Sequence, residues 1–285
     1  MITVLGGSSQ LTQCMRDQFN PECNIINSSD LDLRKISDIQ TVLSRYSNKI
    51  LINCAAFNNV EQAERDSDSQ IINNYAVEEI AKFCNKNDIF LVHISTDFVF
   101  DGFQGNYKES DQTNPINAYG VSKLAGEKAV QSFAKKYVII RTSWLYSHLE
   151  TEHNFLQKLN KILQKNFQVV YGADDIIGSP TSCISLAEGI KIVLQNSDKV
   201  DSINRIFHFS DLGAVSRFEF VKEITLLINK KFNLKNSAQP VKNNFFKLVA
   251  PRPNNSSLDC NLFCNTFKYT PIDWKTSLSN TIKQL

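Results

Sequence analysis

Long apolar runs are missing from this 285-residue chain. None approaches the ~20 residues that a membrane-spanning helix needs, so no membrane helix and no membrane partner are expected. Paired cysteines are missing too. The seven cysteines, at 14, 23, 54, 84, 183, 260 and 264, are odd in number and scattered, which argues against a disulfide framework and for a reducing compartment. Cys54 and Cys84 sit among apolar neighbours and read as small core residues. Cys260 and Cys264 have no second Cys or His pair nearby, so no metal is expected. A charge excess is also absent. With 31 Lys+Arg against 29 Asp+Glu, the net charge of +2 is too mild to point to nucleic acid, yet it would not repel an anionic substrate. Between Met1 and Gly6 stand only Ile2, Thr3, Val4 and Leu5. No signal peptide is therefore expected, and the cytoplasm is the expected location. Neither internal repeats nor low-complexity segments occur.

Glycine is short at one position that matters. The strand Ile2–Leu5 runs into Gly6-Gly7-Ser8-Ser9-Gln10-Leu11-Thr12, with a helix from about Gln10. A strand, glycine turn and helix in this order can rest a dinucleotide's pyrophosphate on the helix N-terminus. A complete fingerprint would carry glycine at 6, 9 and 12; here Gly6 is followed by Ser9 and Thr12. Ser9 is small, and its hydroxyl can itself bond phosphate. Thr12 replaces the glycine that allows close helix–strand packing, so its branch is expected to push the helix outward and weaken cofactor binding. Taken alone, the turn suits a cofactor site and a plain loop equally. At the end of the second strand, Asn27-Ser28 offers neither a carboxylate for a ribose 2′-hydroxyl nor an arginine for a 2′-phosphate. The choice between NADH and NADPH stays open.

What the chain does contain is alternation. Strands are expected at 24–26, 49–54, 89–94 and 137–140, with helices at 71–86 and from Tyr119 onward. Further on come a helix at 155–163, a strand at 168–171, a helix at 184–194, a strand at 206–209 and a helix at 218–228. Strands alternating with helices imply βαβ units, hence an α/β fold with a doubly wound parallel sheet of Rossmann type. The Asn- and Pro-bearing tail after it suits a smaller, loop-rich C-terminal lobe over the sheet's carboxyl edge. The expected division is 1–145 with 168–205 for the dinucleotide-binding part, and 146–167 with 206–285 for the substrate lobe.

Tyr119 and Lys123, in Asn117-Ala118-Tyr119-Gly120-Val121-Ser122-Lys123, carry the chemistry. Four residues apart on a helix, phenol and ammonium share one face. There the cation is expected to lower the phenol pKa from its usual ~10, readying it for proton transfer to a carbonyl oxygen. This spacing often arises as plain surface pairing. It gains weight from Ser95-Thr96-Asp97, which ends the apolar run Ile89–Ile94, because ligands bind outside the carboxyl ends of strands in such sheets.

With these pieces in order, the chain resembles the dTDP-4-dehydrorhamnose reductase family of extended short-chain dehydrogenases over nearly its whole length. The matching stretches include Asn53-Cys54-Ala55-Ala56-Phe57, Val60-Glu61-Gln62-Ala63-Glu64 and His93 through Gly102. They continue with Asn114 through Glu127, Arg141-Thr142-Ser143-Trp144-Leu145-Tyr146 and Ile177-Gly178-Ser179-Pro180-Thr181. Phe207-His208-Phe209-Ser210 and Arg252 through Asp259 complete the set. The resemblance implies reduction, with NADPH or NADH, of the C4 ketone of a nucleotide-linked 4-keto-6-deoxyhexose, in the making of cell-surface polysaccharide. It implies Thr96, Tyr119 and Lys123 as catalytic residues. It implies Gly6, Ser9, Gln10, Leu11, Asp32, Leu33, Ala55, Ala56 and Asn58, with Tyr119 and Lys123, as lining the cofactor. Val60, Thr96, Asp97 and Trp144 would lie near the nucleotide sugar, and a homodimer is allowed. Ser9 and Thr12 depart from family glycines, Asn58 from a usual threonine, and Phe98 from a common tyrosine. Related dehydratases carry glutamate after this aspartate; Phe98 stands there instead, which argues against dehydration.

Plainer readings compete. Trp144 could be core or interface, Asp97 a turn residue, His93 a packed core histidine, and Asp32 a cap for a helix over 33–43. A silent sugar-nucleotide-binding or regulatory subunit of the same fold is the main alternative, since the family includes a regulatory subunit of methionine adenosyltransferase. A reductase of another 4-ketosugar is the other.

Overall fold

The structure is a computed structural model that describes every residue except 20–22, 47–48, 152–153, 198–199 and 201–204. The first half alternates: β1 (Ile2–Leu5), α1 (Gln10–Phe19), β2 (Cys23–Ile26), α2 (Asp38–Leu43), β3 (Ile50–Asn53), α3 (Val60–Ala63), α4 (Asp68–Gln70), α5 (Ala76–Lys86), β4 (Phe90–Thr96), α6 (Ala118–Phe133) and β5 (Tyr137–Thr142). Shorter strands enter the second half: β6 (Leu145–Tyr146), α7 (Phe155–Leu163), β7 (Val169–Ala173), β8 (Ile177–Gly178), β9 (Thr181–Ser182), α8 (Cys183–Gln195), β10 (Ile206–His208), β11 (Val215–Ser216), α9 (Arg217–Phe232), β12 (Ser237–Val241), α10 (Asn261–Phe267) and α11 (Trp274–Lys283). Among the described residues no helix is long and apolar enough to cross a membrane.

Six strands form one parallel sheet in the order β10-β5-β4-β3-β1-β2. Successive side chains of a strand point to opposite faces, and here both faces are covered. Leu5, Leu51, Leu91 and Ile139 go to the face packed by α2, α5 and α6. Their neighbours Val4, Ile52, Val92, Val138 and Ile140 go to the face packed by α1, α8 and α10. This explains why the strands read as near-continuous apolar runs rather than alternating ones. A third core, with Tyr146, Leu156, Phe220, Ile224, Trp274 and Leu278, belongs to the C-terminal lobe.

The strand pairing departs from the sequence division at two points. β7 pairs with β12 and not with the central sheet, so 169–173 sits with the lobe. β10 pairs with β5, and Phe263 of α10 packs against Phe207, so part of 206–285 belongs to the sheet. Three or five residues of strand carry too little pattern to say which sheet they will join. The C-terminal tail is also more regular than expected, since it forms β12, α10 and α11.

The expected helix over 71–86 begins as a π-helical turn at Ile71–Tyr75 before continuing as α5. A single widened turn leaves the apolar rhythm almost unchanged, so the sequence does not reveal it. The helix expected over 33–43 is only Asp38–Leu43. Asp32 does not cap it: its carboxylate accepts from the backbone N–H of Arg34 at 3.0 Å and pairs with the Arg34 guanidinium at 2.8 Å.

Candidate active site

Two adjoining cavities lie along the carboxyl ends of the central strands. The larger, of about 650 Å³, is lined by Gly6, Ser9, Gln10, Asp32, Leu33, Arg34, Ala55, Ala56 and Asn58, among others. The smaller, of about 230 Å³, shares Ser9, Gln10, Cys54, Ala56 and Asn58 with it and adds Leu11, Thr96, Asp97, Tyr119, Lys123, Ser143 and Trp144. Every cofactor-lining residue expected from sequence therefore borders one cavity or the other. Val60 lines neither; it begins α3, behind the Asn59 cap.

The glycine turn is tighter than its sequence suggests. Gly6 holds φ +88, and a Cβ there would come within 2.8 Å of the Ala55 backbone nitrogen. The close approach of the 54–55 backbone is what demands glycine here, and the turn itself borders the larger cavity. Thr12 does not stand in the way. It is wholly buried, the Ser9 hydroxyl donates to Thr12 Oγ1 at 2.9 Å, and the Thr12 N–H donates to Ser9 Oγ at 3.1 Å. The two departures from glycine thus form a matched pair that caps α1, and the branched side chain is accommodated inside the turn. Gln10 closes the wall, with its amide donating to the Leu145 carbonyl at 3.3 Å and accepting from the Ser147 hydroxyl at 3.2 Å.

Asn117 caps α6 by accepting the Gly120 N–H at 2.8 Å, and the helix then carries Tyr119 and Lys123 to the end of β4. Lys123 is buried, and its ammonium donates to the Ile94 carbonyl at 2.7 Å. Burial brings its pKa down to about 8, against the opposing pull of Glu127 and Cys54. Tyr119 is half-buried, and desolvation pushes its phenol up to about 12, with the Thr96 hydroxyl opposing and Asp97 adding to the rise. This corrects the expectation that Lys123 lowers the phenol pKa. Burial dominates the phenol, and the Lys123 ammonium is turned to a backbone carbonyl.

Asp97, expected near the nucleotide sugar, borders the smaller cavity, but its bonding was not visible in the sequence. Its buried carboxylate accepts hydroxyls from Thr96 at 3.1 Å, Ser143 at 2.9 Å and Ser256 at 2.5 Å. Burial raises its pKa and the three hydroxyls oppose the rise. One carboxylate thereby ties the ends of β4 and β5 to the C-terminal lobe. Ser143 and Ser256 were not singled out from sequence, although both lie inside family-like stretches. The Thr96 oxygen also accepts the Phe98 N–H at 3.2 Å. Phe98 packs edge-on against Tyr119, with ring centroids 5.9 Å apart.

Supporting residues were missed as well. Asn73, in the π-helical turn, accepts the Phe57 N–H at 2.8 Å and donates to the Ser122 hydroxyl at 2.9 Å, joining the 55–58 loop to α6. Glu127, one turn beyond Lys123, is fully buried and pairs with Arg141 at 2.7 Å while accepting the Ser95 hydroxyl. Leaving either member of such a pair alone typically costs ~3–5 kcal/mol. His93 is a packed core histidine held to Asn53 at 3.2 Å, and burial keeps its pKa well below normal. Among the described residues no group of three or more His, Cys, Asp or Glu side chains could hold a metal.

Comparison with known proteins fits this geometry. The family model described as the RmlD substrate binding domain matches residues 1–285. The chain belongs to this family. It is 29% identical over 290 residues to a dTDP-4-dehydrorhamnose reductase of Aggregatibacter actinomycetemcomitans, covering 98% of this chain and 97% of the relative. Among solved structures it resembles the Bacillus anthracis dTDP-4-dehydrorhamnose reductase in complex with NADP, with a TM-score of 0.90 and 30% identity over 100% of this chain and 99% of that one. A Clostridium acetobutylicum dTDP-4-dehydrorhamnose reductase superposes with a TM-score of 0.88 at 28% identity, covering 99% of this chain and 98% of that one. The family resemblance and the Rossmann-type sheet read from the sequence both hold.

Proposed function

We propose that this chain reduces the C4 ketone of a nucleotide-linked 4-keto-6-deoxyhexose with NADPH or NADH, as the names of its relatives suggest. The observation that carries the reading is the convergence of Thr96, Tyr119 and Lys123 on the smaller cavity, which shares a wall with the larger one. The Gly6 turn, which lines the larger cavity, and the N-terminus of α1 suit the cofactor's pyrophosphate. A reduced nicotinamide cofactor held along these two cavities would supply the hydride for C4.

The protein's part is the proton and the charge. A phenol held near pKa 12 keeps its proton across the physiological range, so Tyr119 suits the role of acid toward the developing alkoxide. Thr96 would turn its hydroxyl from Asp97 to the ketone oxygen. Asp97 remains anchored by Ser143 and Ser256 while this happens. Lys123, within the same wall and held by the Ile94 carbonyl, would reach the cofactor's ribose. After the turnover, Tyr119 regains a proton from solvent.

The silent-subunit alternative drew its support from the altered turn. Ser9 and Thr12 now form a capped, closed turn, so that support falls away. The seven free thiols, several of them buried, favour a reducing cytoplasm. The test is Tyr119→Phe. Only the proton donor is removed, so turnover should fall by ~10²–10⁴-fold while calorimetric cofactor affinity stays within about twofold. Near wild-type turnover in the variant would refute Tyr119 as the acid.

A further inference from the structure

Trp144 forms a wall of the smaller cavity, and its backbone lies at φ +44, in the left-handed region that bulky residues avoid. A conformation of that kind persists only when its surroundings impose it. Three contacts do so here. Gly178 lies so close beneath the indole that a Cβ would run into the ring. Phe220 packs at a tilt, with centroids 6.1 Å apart. The Arg217 guanidinium covers the ring at 3.5 Å from its centroid and lies 4.9 Å from the Phe155 ring centroid.

Arg217 is an unusual place for a cation. It is the first residue of α9, where the helix dipole disfavours positive charge. No carboxylate among the described residues forms an ion pair with it, and burial lowers its pKa to about 9. Asp97 and Arg252 are the charged groups that act on it through space, with opposite signs. Stacking on Trp144 is the contact that offsets these costs, because a desolvated guanidinium over an indole is the strongest form of the cation–π interaction.

We infer that Arg217 is a positioning residue: stacked on Trp144 and touching Phe155, it fixes the indole plane as one wall of the sugar cavity and so sets how tightly the ketosugar is held. The inference rests on the reductase reading for the identity of the sugar, but not for the state of the indole.

The test separates the two. The chain has two tryptophans. In a Trp274→Phe background, therefore, Trp144 alone emits. Because Trp274 packs in the lobe core, the same comparison is repeated in the unaltered chain, with Trp144→Phe supplying the spectrum to subtract. In the unliganded protein, Arg217→Gln should shift Trp144 emission and raise its quenching by acrylamide, and Arg217→Lys should restore part of the wild-type signal. The same Arg217→Gln change should weaken binding of dTDP-rhamnose, measured by calorimetry, roughly tenfold. Affinity for NADPH should stay within about twofold. Unchanged Trp144 fluorescence overturns the inference; weaker sugar binding would then mean that Arg217 meets the ligand's phosphates directly. Altered fluorescence with unchanged sugar affinity overturns it too, because the wall would not be used. Wild-type protein that binds no nucleotide sugar defeats the functional reading, and the fluorescence arm still decides whether Arg217 sets the indole.

Discussion

At the scale of single residues, Lys123 and Tyr119 have exchanged the electrostatic roles that their spacing suggests. The phenol is held protonated by burial, and the lysine is the group that titrates within reach of neutrality, near pH 8. Activity that needs a charged Lys123 should therefore fall as pH rises through about 8, seen as a basic limb in kcat/KM. Lys123→Arg keeps its charge to higher pH, so the limb should move up even though the rate drops; a limb that stays put belongs to another group. Lys123 makes the opposite contribution to folding. An unfolded lysine holds its proton to ~10.4, so between about 8 and that value the unfolded chain binds more protons and Lys123's share of stability rises with pH. Spacing could place these two side chains on one helix face. It could not report that Ile94 would take the ammonium or that desolvation would dominate.

At the scale of elements, the glycine turn decides how far sequence can be read. Residue by residue, Ser9 and Thr12 look like two losses; folded, the hydroxyls satisfy each other and cap α1. Their effects should be coupled. Ser9→Ala and Thr12→Val should each cost ~0.5–2 kcal/mol in denaturant unfolding, and the double variant should cost clearly less than the sum. Restoring glycine at both positions should lower stability by about 1–2 kcal/mol without improving cofactor affinity. Tighter NADPH binding by that double-glycine variant, measured by calorimetry, would show that the pair does obstruct the cofactor. The buried strands β3, β4 and β5 were legible because both of their faces are apolar. The two-residue strands β8 and β9 were not, because pairing alone defines them; β10 was legible as a strand, but not which sheet it would join. Helices α10 and α11 were hidden by asparagine, threonine and flanking prolines that favour loops in isolation.

At the scale of the molecule, the site exists only when three distant segments meet. Asp97 follows β4, Ser143 follows β5, and Ser256 comes from the lobe, yet all three share one carboxylate. Tyr119, Lys123 and Thr96 could be read as a unit because they lie within one β–loop–α passage. Ser256 and Arg217 needed the lobe to fold over the sheet's carboxyl edge before their roles could be seen, whereas the resemblance already pointed to Trp144. The whole arrangement makes one chemical claim, that hydride enters at the sugar's C4 while Tyr119 protonates the oxygen. The direct measurement uses NADPH deuterated at the transferable hydrogen, a dTDP-linked 4-keto-6-deoxyhexose, and NMR of the product. The account predicts one deuterium at C4 for each cofactor oxidised. Cofactor and sugar both bound with no deuterium at C4, or with the label at another carbon, would contradict it.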